Sequence, residues 1–407
     1  MKTYFNYFIL FLACISFQFS SCAQQQKSTT EKVTTTIPLL LKTGADRTNL
    51  YLSKLKGKNI AILANQTSIV NIPQQNKVES HHLVDYLHNN KGINVQKVFA
   101  PEHGFRGKAD AGETVIDGID TKTQLPIISL YGKNKKPSQA QLKNIDVVIF
   151  DIQDVGARFY TYISSLHYVM EACAEANIPV IVLDRPNPNA HYIDGPVLNM
   201  THKSFVGMHP VPVVYGMTIG EYGQMINGEN WLKNNLKCDL TVIPLKNYTH
   251  NTAYHLPIKP SPNLPNAISI NLYPSLCFFE GTTVSAGRGT NKQFQIYGAP
   301  YLNKTSFSFT PQPNEGAKYP KHKAQLCYGE NLQKNDKLSA LNLSWLIKSY
   351  QESSKKTFFN TFFTKLAGTK KLQLQIEQGL SEKEIKKSWE KDLSEFKKIR
   401  ANYLLYK

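Results

Sequence analysis

Two short apolar runs decide the fold: DVVIF at residues 146–150 and PVIVL at residues 179–183. Between them, Ile163, Leu166 and Met170 follow one another at steps of three and four, which places them on one side of a helix. Continuous apolar runs of this length are typical of strands that are buried on both faces of a parallel sheet. A helix between two such strands predicts a parallel β-α-β unit, and with it an α/β fold.

The same alternation extends towards the N-terminus. Three further runs predict strands: NIAILA at residues 59–64, NVQKVFA at 94–100 and PIISL at 126–130. A helix that carries Leu83 is expected to begin at a cap on Ser80, and a polar helix is expected near residues 138–143. Together these elements predict a Rossmann-like parallel sheet domain over residues 46–235.

The alternation weakens after about residue 235. We therefore expect a second, smaller C-terminal α+β domain over residues 236–407, which closes a cleft against the first domain. The last predicted helix, residues 385–403, places Trp389, Leu393, Phe396 and Tyr403 on one face among lysines and glutamates. This pattern indicates a surface helix that docks on a second domain.

Polar turns follow four of the predicted strands. They are NQT at residues 65–67, PEHGFRG at 101–107, DIQDVGAR at 151–158 and DRPNP at 184–188. In an open α/β sheet such turns lie along the carboxyl edge, where these folds bind ligands. The sequence lacks the glycine-rich fingerprints of nucleotide-binding loops and the Gly-x-Ser-x-Gly nucleophile elbow. It therefore predicts a ligand site with no cofactor.

Carboxylates and basic or amide side chains near these turns are the candidates for chemistry. Two carboxylates that flank a cleft are the minimum that glycoside cleavage requires, whereas carboxylates without paired histidines make a poor zinc site. The predicted catalytic residues are Glu102, Asp151, Asp154 and Glu280. The predicted substrate-binding residues are Asn65, His103, Arg106, Arg158, Asp184, Asn187 and Arg288. No metal ligands are predicted.

The sequence leaves structural alternatives open for these residues. Glu102 would pair with Arg106, and Asp151 and Asp154 would cap the following helix. The turn at residues 184–188 would be an Asx turn made rigid by its prolines. Glu102 is the sharpest candidate, because packing gives no reason for a carboxylate at that strand end.

The N-terminal residues predict export and a membrane anchor. A positively charged start, an apolar run and small residues form a signal peptide over residues 1–22. The sequence FSSC at residues 19–22 resembles a lipoprotein cleavage site, so Cys22 is expected to anchor a periplasmic lipoprotein in the membrane. Ordinary cleavage after Ala23 is the alternative. The polar segment over residues 23–45 is expected to be a tether.

The net charge of +17 comes mostly from lysines spread along the chain. No nucleic-acid-binding motif accompanies this charge, so nucleic acid is not a predicted partner. Polyanionic cell-envelope material suits the charge equally well.

Four cysteines remain beyond the N-terminal segment, namely Cys173, Cys238, Cys277 and Cys327. They show no Cys-x-x-Cys spacing, which disfavours zinc. An oxidising periplasm would allow one or two disulfides, and buried free thiols are the favoured alternative.

The run FAPEHGFRG at residues 99–107, followed by Ala111-Gly112, resembles the signature of the exo-β-N-acetylmuramidases. These peptidoglycan-recycling glycosidases were long catalogued as a domain of unknown function. The resemblance extends from about Asn59 to Tyr406. It also includes NQT at 65–67, DIQDVG at 151–156 with Arg158 and YTY at 160–162, DRPNP at 184–188, YGMTIGE at 215–221, PSPNLP at 260–265 and SAGRGT at 285–290.

The resemblance implies a Rossmann-like domain and a smaller C-terminal domain with the active site in the cleft between them. It implies that Glu102 is catalytic and that the protein releases N-acetylmuramic acid from non-reducing ends of peptidoglycan fragments. A non-catalytic muropeptide-binding lipoprotein and a glycosidase for another N-acetylated sugar are the alternatives. Two departures bear on substrate preference: Tyr215 stands where relatives often have histidine, and His255-Leu256-Pro257 replaces an aromatic-rich segment.

Overall fold

The computed structural model of this chain describes residues 40–75, 77–107, 113 and 116–406. The predicted signal peptide with Cys22, and most of the predicted tether, lie outside the described residues, as do Ala111 and Gly112. None of the helices in the described ranges has the length and apolar character that a membrane span requires.

Strands and helices alternate through most of the described chain. The strands are β1 Asn59–Ala64, β2 Ile69–Gln74, β3 Lys77–His82, β4 Asn94–Ala100, β5 Gly118–Ile119, β6 Pro126–Ser129, β7 Val147–Asp151, β8 Val180–Leu183, β9 Leu240–Ile243, β10 Ile296–Ala299, β11 Ser308–Phe309 and β12 Cys327–Asn331. The α-helices are α1 Leu52–Leu55, α2 Leu83–His88, α3 Gln139–Leu142, α4 Tyr162–Glu175, α5 Ile219–Gly228, α6 Ala267–Leu276, α7 Ser344–Gln351, α8 Phe363–Ala367, α9 Lys371–Glu377, α10 Glu382–Lys387 and α11 Glu390–Ala401. Short 3-10 helices cover Thr48–Leu50, Met200–His202, Lys233–Asn235 and Cys277–Gly281.

A seven-stranded sheet forms the centre of the larger domain, in the order β5-β6-β4-β1-β7-β8-β9. All its pairings are parallel except that of β5 with β6 at one edge. Numbered along the chain, the parallel strands lie in the order 3-2-1-4-5-6 of a Rossmann-like fold. Folds of this kind bind ligands outside the carboxyl ends of the strands. The predicted fold class is confirmed.

The five predicted strands are present where the apolar runs placed them. β1 and β4 have the predicted bounds, and β6, β7 and β8 begin or end within one residue of theirs. Helix α4 carries the predicted apolar stripe, and its members are buried. Ser138 caps α3 with a full capping box. β1, β7 and β8 are buried along nearly their whole length, and their continuous apolar runs located them.

The predicted cap on Ser80 is wrong. Ser80 lies in β3, which pairs with β2 in a hairpin, and its hydroxyl donates to Oδ1 of Asn71. The side chain of His82 caps α2 instead. The hairpin is mostly exposed or half-buried, so its sequence lacks the apolar run that marks the sheet strands.

Two of the predicted domain borders differ from those in the structure. β9 is the last strand of the large sheet, so the larger domain continues past residue 235. Sequence patterning missed β9 because only one of its four residues is buried. At the other end, Lys42 pairs with Lys246, and the N–H of Gly44 donates to the carbonyl oxygen of Asp184. The last residues of the predicted tether therefore belong to the folded domain.

The smaller domain contains the antiparallel sheet β10-β12-β11 and helices α7 to α11. The last predicted helix is two helices, α10 and α11, with Trp389 at the N-cap of α11. Trp389, Leu393 and Phe396 are buried, as predicted, whereas Tyr403 lies beyond the end of α11 and is half-buried. Arg400 at the end of α11 donates to the carbonyl oxygen of Gly216, so this helix also contacts the larger domain.

One apolar core runs through both domains. Phe159 beyond β7 meets Phe278 of the smaller domain edge to face, with ring centroids 6.0 Å apart. The cysteines at 173, 238, 277 and 327 are buried free thiols. A shared core of this kind holds the two walls of the cleft in a fixed relation.

Candidate active site

A cleft of about 520 Å³ lies at the carboxyl edge of the large sheet, between the two domains. The larger domain contributes Glu102 after β4, Tyr131 after β6 and Thr161 after β7. The smaller domain contributes Glu280 and Arg288. Aromatic side chains form much of the remaining wall, namely Phe159, Tyr160, Phe205, Tyr273, Phe294, Tyr319 and Phe362. Charged groups between aromatic faces suit a polar ligand with flat apolar surfaces, such as a sugar.

Glu102 reaches the cleft from a tight turn at the end of β4. His103 and Gly104 both have positive φ angles, 71° and 76°, and the N–H of Gly104 donates to the carbonyl oxygen of Pro101. A positive φ is unfavourable for a histidine, and such strain is concentrated at functional sites. His103 is itself buried and lines the cleft.

Both oxygens of the Glu102 carboxylate accept hydrogen bonds from hydroxyl groups. Tyr131 Oη donates to Oε1 at 2.8 Å, and Thr161 Oγ1 donates to Oε2 at 2.6 Å. Bonds to both oxygens restrict the side chain to one orientation. The carboxylate is thus placed for chemistry at the cleft surface.

Glu280 faces the cleft from the 3-10 helix Cys277–Gly281. Nη1 of Arg288 donates to its Oε1 at 2.8 Å, and Nη2 of Arg288 donates to the carbonyl oxygen of Gly316 at 3.2 Å. The two side chains remain about a quarter exposed, 25% for Glu280 and 23% for Arg288. A ligand in the cleft can therefore reach both groups.

Lys321 is hydrogen-bonded to the backbone next to Glu280. Its Nζ donates to the carbonyl oxygens of Phe279 and Thr282, at 2.7 and 2.6 Å. Burial lowers the pKa of Lys321 to about 8. The lysine fixes the backbone on both sides of Glu280, because carbonyl groups at the end of a helix need donors from elsewhere.

Glu102 and Glu280 are the carboxylates among the described residues that line the cleft. They approach it from different domains. A pair of carboxylates on a shared cleft is the arrangement that glycosidases use to protonate a leaving oxygen and to attack or activate water. Across the described ranges, no three His, Cys, Asp or Glu side chains are grouped as a metal ion would require.

The predicted catalytic role of Asp151 and Asp154 is not supported. Asp151 is fully buried, and both its oxygens accept from Arg185, at 2.6 and 2.8 Å. Asp154 accepts from the hydroxyl of Tyr215 and from the N–H of Gly156. Burial raises the pKa of Asp154 to about 6. Both carboxylates hold the turn after β7 and lie outside the cleft lining.

Two predicted substrate-binding arginines also lie outside the cleft lining. Arg106 pairs with Asp120 at 2.8 Å and with Asp85 at 3.3 Å. Arg158 is fully buried and donates to four backbone carbonyl oxygens, those of Pro196, Val211, Leu366 and Ala367. Arg106 anchors the turn that follows Glu102, and Arg158 joins segments of the chain.

The three remaining predicted ligands, Asn65, Asp184 and Asn187, are buried and lie outside the cleft lining. Asn65 Nδ2 donates to the hydroxyl of Tyr162 at 2.8 Å. Asp184 accepts from the N–H of Gly220 and the hydroxyl of Thr218. Asn187 Oδ1 accepts from the N–H of Asn189, which is the Asx turn that the sequence left open. These side chains build the strand-end turns.

Four of the eleven predicted residues therefore line the cleft: Glu102, His103, Glu280 and Arg288. Sequence reasoning missed Tyr131 and Thr161. Tyr131 follows the one predicted strand whose turn was not singled out, and Thr161 lies in the run YTY at residues 160–162. Treating the turn after β6 as part of the candidate site, like the turns after the other four predicted strands, would have identified Tyr131.

Two family models match adjoining parts of the chain. One described as exo-beta-N-acetylmuramidase NamZ, N-terminal, matches residues 60–268. One described as exo-beta-N-acetylmuramidase NamZ, C-terminal, matches residues 271–406. The border between the matches falls within α6, which agrees with a larger domain that includes β9.

A curated relative and two solved structures are similar over nearly the whole chain. Peptidoglycan beta-N-acetylmuramidase NamZ of Bacillus subtilis strain 168 is 39% identical over 384 residues, which cover 88% of this chain and 89% of the relative. A crystal structure of a DUF1343 family protein from Bacteroides fragilis NCTC 9343 is 48% identical, with a TM-score of 0.82, covering 91% of this chain and 99% of that one. A second such structure from the same organism is 27% identical, with a TM-score of 0.76, covering 90% of this chain and 99% of that one.

Proposed function

The chain belongs to the exo-β-N-acetylmuramidase NamZ family, and we propose that it releases N-acetylmuramic acid from the non-reducing ends of peptidoglycan fragments. One observation carries the assignment to a glycosidase. Glu102 and Glu280 line the same cleft from different domains, and Glu102 is held at both oxygens. The product points to a role in cell-wall turnover and recycling.

The cleft supplies what glycoside cleavage needs. Aromatic walls pack against the apolar faces of a sugar ring and exclude water, which strengthens electrostatic interactions at the reacting bond. Glu102, on its rigid turn, acts on the glycosidic bond. Glu280 supplies the second carboxylate, with Arg288 beside it. The position of each carboxylate is thus set by backbone that the fold holds in place.

Release of sugar from a chromogenic N-acetylmuramide tests this function. We expect the purified protein to release the chromophore together with free N-acetylmuramic acid. Binding of muropeptides without release would identify a non-catalytic binding protein instead. Faster release from an N-acetylglucosaminide would point to a glycosidase for another N-acetylated sugar.

Arg288 is the residue that we assign to the lactyl carboxylate of N-acetylmuramic acid. Of the three arginines considered from the sequence, it alone is among the described residues that line the cleft. An arginine binds a carboxylate through charge-assisted hydrogen bonds, which are stronger than bonds between neutral groups, and a substrate without the lactyl carboxylate cannot form them. Binding of the lactyl carboxylate by Arg288 therefore favours muramides over glucosaminides as substrates.

We expect Arg288→Gln to lower kcat/KM on an N-acetylmuramide about 10- to 100-fold, the value of a lost charge-assisted bond. Turnover of the matching N-acetylglucosaminide should change much less, so the ratio of the two kcat/KM values is the measurement. Arg106→Gln is the matched control, because Arg106 lies outside the cleft lining, and its ratio should equal that of the wild type. An unchanged ratio in Arg288→Gln would remove Arg288 from sugar recognition.

We also propose that the protein is an exported lipoprotein of the periplasm, anchored in the membrane through Cys22. The apolar run and the FSSC sequence at residues 19–22 support this localisation. Cys22→Ala should move the protein from the membrane fraction to the soluble fraction. Cys14→Ala, a matched change inside the apolar run, should leave it with the membrane. Membrane association of Cys22→Ala equal to wild type would rule out lipidation as the anchor.

A further inference from the structure

We infer that Tyr131 and Thr161 are positioning residues of the reaction, which act by holding the two oxygens of Glu102 in one orientation. The inference rests on the proposed glycosidase function, because it concerns the same cleft. The two hydroxyl groups come from different strand ends, Tyr131 after β6 and Thr161 before α4. Both donate to the carboxylate of Glu102, which follows a third strand, β4.

The local structure around Thr161 does not require its hydroxyl. Thr161 stands at the N-cap of α4, where a threonine side chain ordinarily accepts a hydrogen bond from the first turn of the helix. Here the side chain makes no cap bond, and the backbone has helical angles of φ −73° and ψ −6°. Its Oγ1 donates to Oε2 of Glu102 at 2.6 Å. The hydroxyl therefore contacts the carboxylate of Glu102 and does not cap the helix.

The ring of Tyr131 is held separately from its hydroxyl. It contacts the ring of Phe205 with centroids 6.0 Å apart, and the N–H of Tyr131 donates to Ser129 Oγ at 3.3 Å. Phe205 is fixed in turn, because its carbonyl oxygen accepts from Ser164 at 2.7 Å. Tyr131→Phe thus removes the hydrogen bond to Glu102 and keeps the aromatic contact.

The expected consequence is a loss in kcat rather than in substrate binding. A carboxylate that has lost one of its fixed bonds samples further rotamers, and misplacement of a reacting group by about 1 Å costs up to a hundredfold in rate. We expect Tyr131→Phe and Thr161→Val each to lower kcat about tenfold, with KM changed less than twofold. Thr161→Ser keeps the hydroxyl and should retain kcat within twofold of wild type.

Two comparisons separate positioning from a purely structural effect. Tyr168→Phe is the matched control, because the Tyr168 ring also stacks near Phe205 but lies outside the cleft lining. It should leave kcat unchanged. The second comparison measures kcat of the double variant Tyr131→Phe/Glu102→Gln against that of Glu102→Gln alone, with an activated aryl muramide as the substrate. If Tyr131 acts through Glu102, the added change should alter kcat less than twofold.

Thermal unfolding of each variant checks that it is folded. Thr161→Val provides an independent test if Tyr131→Phe does not fold. A full tenfold loss in the Glu102→Gln background, or a rise in KM alone, would show that Tyr131 contacts the substrate instead and would overturn the inference. Normal kcat in both single variants would also overturn it. Absence of sugar release by the wild type would instead refute the proposed function.

Discussion

Glu102→Gln should lower kcat on an N-acetylmuramide with an unactivated leaving group by about a hundredfold or more, which is the scale of lost acid–base assistance. Glutamine has the shape of glutamate: its oxygen accepts from one of the two hydroxyls, those of Tyr131 and Thr161, and its amide N–H donates to the oxygen of the other. It cannot carry the negative charge or exchange a proton at neutral pH. Folding and sugar binding should therefore persist while turnover falls.

The leaving group distinguishes the possible roles of Glu102. If Glu102 protonates the leaving oxygen, the loss should shrink for an activated aryl leaving group, which needs little protonation. If it attacks the sugar or activates water, the loss should persist for every leaving group. Glu395→Gln, a matched change at an exposed position of α11, should leave turnover unchanged. Near-normal turnover of Glu102→Gln on both substrates would exclude Glu102 from the mechanism.

The strands were predictable where burial on both faces leaves a continuous apolar run. β1 was located to the residue for this reason, whereas the run of β4 is buried throughout only at its carboxyl end, Val98–Ala100. β9 contributes a single buried residue, and the β2–β3 hairpin is exposed or half-buried at every strand position except Val70, so neither produced such a signal. Both elements depend on tertiary pairing, which a local pattern does not contain.

The site was predictable to the level of the sheet edge, but not to the level of side-chain direction. Polar residues after a parallel strand either face a ligand or satisfy the backbone of the turn, because buried polar groups need partners. Asp151 turns to Arg185 and Asp184 turns to Thr218 and Gly220, whereas Glu102 faces the cleft. The sequence holds the same residue types in both cases. Only the neighbouring strand ends decide between them.

Arg158 shows the same difference most clearly. The sequence places Arg158 beside the predicted site. Its guanidinium instead donates to the carbonyl oxygens of Pro196 and Val211 in the larger domain and of Leu366 and Ala367 in the smaller one. A Cβ added at Gly368 would lie 2.7 Å from Nη2 of Arg158, so the glycine is needed for this close approach. Burial lowers the pKa of Arg158 to about 9, which still leaves it charged at neutral pH.

Arg158→Met should destabilise the protein by about 3 kcal/mol or more, because it leaves several buried carbonyl groups without donors. Arg158→Lys should recover part of that loss, since an ammonium group donates from a single point and cannot match the planar guanidinium. Urea unfolding midpoints and calorimetric melting temperatures measure both changes. The control is Lys348→Met, which breaks a half-exposed pair with Glu330 and should cost about 1 kcal/mol or less. If Arg158→Met instead kept wild-type stability and lost affinity for the muramide, Arg158 would be a substrate-binding residue, as the sequence first indicated.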